Sequence, residues 1–170
     1  LDRIIAINPD YIIHAAAYTA VDKAETEQEK AQLINVDAVA VLAEEAKKCG
    51  AWLIHYSTDY VFDGTSSIPL DEEAVVEPIN IYGSTKLKGE VAVQKWLSDS
   101  IIIRTSWVYS TYGNNFVKTM IRLMTERDEI SVIDDQIGSP TYAKDLAQAI
   151  IDIIDSKNWV GGMYHYSNEG

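Results

Sequence analysis

The sequence has 170 residues, 47% of them hydrophobic and 24% charged, which is enough apolar material for the core of an ordinary globular domain. Its formal net charge of −12 argues against a nucleic-acid surface or an anionic membrane surface, since both require clustered Lys and Arg. The single cysteine excludes an internal disulfide and a cysteine-based zinc site. No apolar run is long enough to span a bilayer and no signal peptide is visible, so we expect a cytoplasmic protein.

The first predicted strand is the apolar run at residues 11–17, which follows a short helix and Pro9. This run ends in three alanines. Small residues at the carboxyl end of a parallel strand let a flat ligand lie against the backbone, at the edge where open α/β sheets bind ligands. Close packing alone would explain the alanines equally well, and both interpretations stay open.

Residues 31–49 predict an amphipathic helix, because apolar residues recur at helical spacing as far as Gly50, which is suited to a C-terminal cap. Asn35 interrupts the apolar side of this helix. We expect Asn35 to be buried and to tie the helix to the preceding strand by hydrogen bonds, with a solvent-facing position as the alternative.

The second predicted strand spans residues 51–56, and polar side chains follow it. Thr58 and Asp59 would therefore lie at the same ligand-binding edge of the sheet. His55 lies inside the strand, where a hydrogen-bonded core histidine is a better interpretation than a catalytic base. Residues 61–77 contain glycine, proline and several acids and predict a surface loop.

Tyr82 and Lys86 stand four residues apart after this loop. On a helix the two side chains would share one face, one turn apart. A neighbouring ammonium favours the phenolate and would lower the pKa of Tyr82 toward working pH, as a general acid that protonates a carbonyl oxygen requires. The same spacing is also common by chance, so this interpretation depends on the segments around it.

The remainder of the chain continues the alternation of strands and helices. Residues 100–106 predict a third buried strand, and the aromatic Trp107 that follows it can wall a pocket. Further predictions are a helix at 115–125 that buries Phe116, Met120, Leu123 and Met124, a strand at 130–133, a helix at 144–154 and a strand at 163–166. Asp134 and Asp135 are two acids in a turn, which are usually solvated, so we predict no metal site. The alternation indicates an α/β fold with a Rossmann-like, doubly wound parallel sheet.

Six segments together carry a family resemblance. They are residues 15–22, 57–64, 82–86, 104–109, 115–117 and 135–141. With them the chain resembles the extended short-chain dehydrogenase/reductase superfamily and, within it, the dTDP-4-dehydrorhamnose reductase branch. The Ser-Thr-Asp-Tyr-Val-Phe-Asp-Gly and Gly-Ser-Pro-Thr segments are fairly specific to that branch, whereas Tyr-x-x-x-Lys marks only the superfamily.

The resemblance implies a catalytic role for three residues. Thr58 would hydrogen-bond the substrate carbonyl oxygen, and Tyr82 would donate the proton. Lys86 would contact the nicotinamide ribose and lower the pKa of Tyr82. The implied reaction is hydride transfer from NADPH or NADH to C4 of dTDP-4-dehydro-L-rhamnose, which gives dTDP-L-rhamnose.

The resemblance also implies binding residues and partners. The cofactor would be contacted by Ala16, Ala17, Tyr18, Thr19, Tyr82 and Lys86, and the dTDP-sugar by Thr58, Asp59 and Trp107. Residues 1–106 would form the NAD(P)-binding core, 107–141 mainly a substrate-binding lobe, and 142–170 the return to the core and the start of a further substrate region. The expected partners are small molecules, without nucleic acid or membrane, and a homodimer is compatible with the family.

One departure from the family pattern concerns the phosphate site. The family opens with a strand and a glycine-rich turn that seats the pyrophosphate at a helix N-terminus. No such Gly-x-x-Gly-x-x-Gly occurs here, and the residues that select NADH or NADPH would lie near it. We therefore expect a fragment of a longer enzyme that is poorly active by itself.

Two other functions fit the same segments. A sugar-nucleotide epimerase or 4,6-dehydratase would use the same scaffold, but dehydratases usually place an Asp-Glu pair after the threonine, and here Tyr60 follows Asp59. A non-catalytic regulatory subunit, such as the β-subunit of methionine adenosyltransferase, also resembles this branch. Because a fold alone does not fix function, we keep both as alternatives.

Overall fold

The computed structural model describes residues 2–169, which group into two compact units. The first unit runs through Arg104 and also contains Val160–His165. The second comprises Thr105–Trp159 and the residues from Tyr166 on. The first and last residues of the chain, which bound the predicted domains, lie outside the described residues.

Seven α-helices and six strands are described within residues 2–169. In chain order they are α1 (Asp2–Ile7), β1 (Tyr11–His14), α2 (Val21–Ala24), α3 (Gln28–Gln32), α4 (Ala38–Cys49), β2 (Trp52–Thr58), α5 (Ile81–Trp96), β3 (Ile101–Thr105), β4 (Val108–Tyr109), α6 (Phe116–Glu126), β5 (Thr141–Tyr142), α7 (Ala143–Asp155) and β6 (Gly162–His165). A π-helical turn joins α3 to α4, so these two helices form one continuous helical run.

The first unit contains a four-stranded sheet in the order β1-β2-β3-β6. β1 runs parallel to β2, and β3 runs parallel to β6. In register, His14 stands beside His55, and Arg104 stands beside His165. The predicted parallel α/β fold is thus confirmed, with the carboxyl ends of β1 and β2 at one edge.

The core of this sheet is built from the apolar runs that the sequence marks as strands. α4 and α5 pack small and branched side chains against β2 and β3, and the buried cluster is Val39, Ala43, Ala46, Ala51, Leu53, Val93 and Ile102. Alanines on α4 let the helix lie close to the sheet. Gly50 ends α4 in the left-handed conformation at φ 72°, as its predicted capping role requires.

The second unit contains a small parallel pair, β4 with β5, and the helices α6 and α7. Leu146 and Ile150 of α7 are buried, as the helical periodicity predicts. The strand predicted at 130–133 is wrong, because Val132 and Ile133 are half to two-thirds exposed and no strand pairs with this segment in the described chain. Short apolar runs become strands only where a neighbour satisfies their backbone groups.

The predicted buried face of α6 is also wrong. The helix forms at Phe116–Glu126, but Phe116 is 64% exposed and Met124 is 60% exposed. Amphipathic spacing correctly identified the apolar side of the helix, and nothing in it specifies whether another element covers that side.

Two features are absent from the described residues. None of the helices within residues 2–169 has the length and apolar character needed to cross a bilayer. The same residues hold no group of three or more His, Cys, Asp and Glu side chains arranged to bind a metal ion.

Candidate active site

α5 carries the two residues singled out by spacing, and its start is fixed by polar contacts. The Asn80 side chain accepts a hydrogen bond from the Gly83 backbone N–H at 2.7 Å, which caps the helix. The Glu25 carboxylate accepts another from the Ile81 N–H at 2.9 Å. Tyr82 and Lys86 lie on the buried side of the helix, 8% and 2% exposed, so the predicted shared face is present.

Gly83 is the reason that α5 can approach the end of β2. A β-carbon at this position would overlap the backbone carbonyl of Tyr60. The absence of a side chain therefore lets the first turn of α5 lie directly on the segment after β2. This contact brings Tyr82 next to the residues that close β2.

Thr58 is the last residue of β2, and its hydroxyl is oriented by its neighbours. Its Oγ1 accepts a hydrogen bond from the Tyr60 backbone N–H at 3.2 Å and donates one to Asp59 Oδ1 at 3.0 Å. The Thr58 side chain is also within hydrogen-bonding reach of the Tyr82 phenol. Thr58 and Tyr82 thus present two hydroxyls together at the carboxyl edge of the sheet.

The pKa of Tyr82 is raised, not lowered as expected from its spacing to Lys86. Burial of the phenol is the main cause, and the charge of Asp59 and the nearby Tyr60 phenol add to it, while the hydrogen bond with Thr58 acts in the opposite direction. The Tyr60 ring stands edge-on to the Tyr82 ring, with centroids 5.5 Å apart. The surroundings therefore keep Tyr82 protonated, which is the form from which a proton can be donated.

Lys86 is held in place by a backbone group of β2. Its Nζ donates a hydrogen bond to the backbone carbonyl of Tyr56 at 2.6 Å. Burial lowers the pKa of Lys86 to about 8, although the Glu90 carboxylate one turn later favours the charged form. The ammonium is thus anchored to β2.

Tyr18 is fixed on both sides of its backbone by the buried Asn35. The Asn35 Oδ1 accepts from the Tyr18 N–H at 2.8 Å, and its Nδ2 donates to the Tyr18 carbonyl at 3.1 Å and to Thr85 Oγ1 at 3.1 Å. The predicted burial and hydrogen bonding of Asn35 are confirmed, but its partners lie after the end of β1 and on α5, not in the strand itself. The π-helical turn that contains Asn35 was not predicted, because the spacing of apolar residues does not distinguish one π-helical turn from an α-helical turn.

The small residues after β1 remain accessible. Ala16 and Thr19 are exposed and Ala17 is partly exposed, whereas Tyr18 is buried in one cluster with Tyr82. The strand itself ends at His14, so the alanines lie beyond it. Small accessible residues at the carboxyl edge of a parallel sheet leave room for a ligand to approach the backbone.

A pair of histidines was missed by the sequence reading. His14 Nδ1 and His55 Nδ1 are 2.9 Å apart, and the two rings are stacked with centroids at 5.1 Å. Burial, and then the charge of Lys86, lower the pKa of both, that of His14 to about 4. His55 is a core histidine as predicted, but its Nε2 has no hydrogen-bond partner in the described structure.

Trp107, the remaining predicted binding residue, belongs to the second unit. Its backbone has a φ of 46°, a conformation that bulky residues rarely adopt. The Trp107 indole lies against Gly138, where an added β-carbon would stand 3.1 Å from the ring. Ser106 Oγ donates to the Ser139 carbonyl at 2.6 Å and supports the same corner. Such backbone outliers concentrate at ligand sites.

Comparisons with known proteins identify the family of the chain. The family model described as RmlD substrate binding domain matches residues 2–170. The dTDP-4-dehydrorhamnose reductase of Escherichia coli K12 is 50% identical over 172 residues, which cover 99% of this chain and 58% of that protein. The spore coat polysaccharide biosynthesis protein SpsK of Bacillus subtilis is 46% identical over 162 residues, 95% of this chain and 56% of that protein.

Solved structures of related proteins also match this chain. The crystal structure of dTDP-4-dehydrorhamnose reductase from Bacillus anthracis in complex with NADP matches with a TM-score of 0.94 and 48% identity, and covers 99% of this chain and 59% of that one. A dTDP-glucose 4,6-dehydratase from Streptomyces venezuelae matches with a TM-score of 0.79 at 20% identity, which shows a shared fold alone. The chain therefore spans somewhat more than half the length of the relatives it matches.

Proposed function

Because the chain belongs to the RmlD substrate binding domain family, we propose that the protein containing it reduces the C4 keto group of dTDP-4-dehydro-L-rhamnose to give dTDP-L-rhamnose. The observation that carries this proposal is the convergence of Thr58, Tyr82 and Lys86 at the carboxyl edge of the sheet, each at most 8% exposed. Two hydroxyls beside a buried ammonium form a site for polarising and protonating a carbonyl oxygen.

The cofactor of the proposed reaction is NADPH or NADH. When bound, it supplies the hydride that reduces the keto carbon. The residues that would contact it are Ala16, Ala17, Tyr18, Thr19, Tyr82 and Lys86. The accessible alanine backbone and the anchored Lys86 support this assignment, and the relative from Bacillus anthracis was crystallised with NADP.

Tyr82 is the proposed proton donor. As hydride reaches the carbon, the C4 oxygen gains negative charge and takes the phenolic proton to become the hydroxyl of the product. The raised pKa of Tyr82 keeps that proton in place until charge develops. Thr58 would donate a hydrogen bond to the same oxygen, after its hydroxyl turns from Asp59.

Lys86 is the proposed ribose contact and positive charge of the site. Its hydrogen bond to the Tyr56 carbonyl uses one of three N–H groups and leaves two for ligand hydroxyls. Its positive charge would also stabilise the phenolate that Tyr82 becomes after proton transfer.

The second unit is the proposed contributor to substrate binding. Trp107, with its strained backbone and its partly exposed indole, is a proposed contact of the sugar nucleotide. Asp59, next to Thr58 in the sequence, is another proposed contact. We keep residues 107–141 as the main part of a substrate-binding lobe in this proposal.

The test is an assay of the full-length protein with dTDP-4-dehydro-L-rhamnose and NADPH. We expect one NADPH consumed for each dTDP-L-rhamnose formed. Epimerases and dehydratases regenerate their cofactor, so product formation without net NADPH consumption would point to that alternative. No product together with co-purification of a larger synthetase would point to a regulatory subunit. The isolated 170-residue chain, without a glycine-rich turn, is expected to be poorly active.

A further inference from the structure

A buried ion pair joins Glu90, one turn beyond Lys86 on α5, to Arg104 on β3. Arg104 Nη2 donates to Glu90 Oε2 at 2.8 Å and Arg104 Nε donates to Glu90 Oε1 at 3.0 Å, so the pair is bidentate. The side chains are only 6% and 2% exposed. A bidentate geometry fixes both side chains, and removal from water makes their charges act strongly on neighbours.

Lys86 is the neighbour on which the Glu90 charge acts. Lys86 and Glu90 are four residues apart on one helix and are both buried, so they lie one turn apart on the same side. The order Lys86, Glu90, Arg104 is thus an alternation of positive, negative and positive charge inside the unit.

The other groups that face Lys86 cannot replace Glu90. His14 on β1 and His55 on β2 carry no negative charge that could stabilise the ammonium, and burial, followed by the charge of Lys86, lowers the pKa of both. The Tyr56 carbonyl of β2 accepts one hydrogen bond but carries no full charge. Glu90 is therefore the carboxylate that offsets the cost of burying the ammonium.

Arg104 is held in place independently of Lys86. Its guanidinium lies over the Phe62 ring, 5.3 Å from the ring centroid, at the carboxyl end of β3. Its Nη1 is buried without a hydrogen-bond partner within the described residues. Arg104 is thus placed to neutralise part of the Glu90 charge, which reduces the effect of that charge on Lys86.

We propose that Glu90 and Arg104 are positioning residues that together set how much positive charge Lys86 carries in the working site. Glu90 holds Lys86 in the ammonium form, and Arg104 limits that effect by neutralising part of the Glu90 charge. The catalytic consequence rests on the proposed reductase function, while the charge relation itself is a property of the fold.

The test compares Glu90→Gln with Arg104→Met in the full-length protein. The first substitution removes the negative charge, and the second leaves it without its partner. An NMR titration of labelled lysine side chains, with Lys86 assigned from a Lys86→Arg variant, should move the pKa of Lys86 down in Glu90→Gln and up in Arg104→Met. Opposite directions are the signature of charge, because a packing defect would not reverse its sign.

The pH profile of NADPH consumption is the second readout. In Glu90→Gln the ratio of activity at high pH to activity near neutral pH should fall about tenfold, since an adjacent opposite charge moves a pKa by about one unit or more. In Arg104→Met the high-pH limb should move to higher pH. Glu44→Gln, which breaks an exposed ion pair with Lys48 on α4, should leave both the profile and the Lys86 titration unchanged.

The double variant distinguishes a loss of folding from a change in the pKa of Lys86. If Glu90→Gln alone does not fold, because an unpaired Arg104 is left buried, Glu90→Gln with Arg104→Met removes both charges and should place the Lys86 titration below that of Arg104→Met. A Lys86 titration that stays fixed, or moves in the same direction in both single variants, would overturn the inference. If the protein shows no reductase turnover, only the proposed function fails, and the titration still decides the charge relation.

Discussion

α5 and α6 begin in the same way and differ in almost everything that follows. Each starts with an asparagine cap, Asn80 accepting from the Gly83 N–H and Asn115 accepting from the Lys118 N–H. α5 then buries seven residues, including Tyr82, Lys86 and Glu90. α6, which lies entirely within the described residues, buries none of its side chains.

The difference separates amphipathicity from burial. α6 has apolar residues on one side and polar residues on the other, and its apolar side is nevertheless exposed. α5 lacks such a clear division because polar and charged residues occupy its buried side. Buried polar groups are costly unless they are paired, so their presence on α5 points to a function, whereas an apolar stripe alone does not.

The largest expected effect comes from Gly83, which has no counterpart on α6. Gly83→Ala forces a methyl group onto the Tyr60 carbonyl, so α5 must move away from β2. We expect a loss of about 3 kcal/mol in the free energy of unfolding, together with loss of the proposed reductase activity. Urea denaturation measures the first, with Ser84→Ala as the neighbouring control. A Gly83→Ala protein as stable and active as the parent would disprove the close approach.

The next effect concerns pH, through the histidine that faces Lys86. The unfolded chain binds a proton at His14 near pH 6.5, but burial and Lys86 lower the folded pKa to about 4. The contribution of neutral His14 to the free energy of unfolding is therefore fully present above pH 6.5. It falls by about 3 kcal/mol as the pH decreases toward 4, because the unfolded chain then binds a proton that the folded chain does not. Unfolding free energies at several pH values should show a smaller acid loss in His14→Gln. An identical loss in that variant would remove His14 from the explanation.

One substitution made in both helices tests their difference in packing. Val93 on α5 is fully buried and Val117 on α6 is 40% exposed. Val93→Ala should cost about 1–3 kcal/mol, because it removes two methyl groups from the core and leaves a cavity. Val117→Ala should stay within about 0.5 kcal/mol of the parent. Equal costs in thermal or urea unfolding would mean that α6 is covered in the folded protein.

The smallest expected effect comes from the shared caps. Asn80→Ala and Asn115→Ala should each cost about 1 kcal/mol of stability, since each leaves a helix N–H without its acceptor. Asn80→Ala should also weaken activity, and by more than Asn115→Ala does, because Tyr82 lies two residues later on α5. Parallel measurements of unfolding and of NADPH consumption would expose this divergence. Equal losses of activity in both variants would contradict it.

Much of the fold follows from the sequence alone. Continuous apolar runs such as Ile101-Ile102-Ile103 identified the buried strands, and helical spacing identified α4 and α7. The predictions failed at residues 130–133 and on α6. In both places the sequence has the expected apolar pattern, but in the described chain no strand pairs with residues 130–133 and no element buries the side chains of α6. Pairing and coverage are tertiary properties, which a local pattern does not contain.

The candidate site divides in the same way. Thr58, Tyr82 and Lys86 could be selected because their types and spacing carry a known chemistry, but the direction of the Tyr82 pKa could not, since it depends on burial and on Asp59. The Glu90–Arg104 pair was missed, although an arginine directly after the apolar run at residues 101–103 was a visible signal of a buried charge. Their partnership needed the distance between α5 and β3.

The most direct test of the central claim is Tyr82→Phe in the full-length protein, assayed with dTDP-4-dehydro-L-rhamnose and NADPH. Tyr11→Phe, at the amino end of β1, is the matched control. We expect Tyr82→Phe to lower kcat/KM by about 10²- to 10⁴-fold, as loss of a general acid does, and Tyr11→Phe to change it by less than about twofold. Unchanged NADPH consumption in Tyr82→Phe would show that the proton comes from elsewhere and would contradict the assignment of this site.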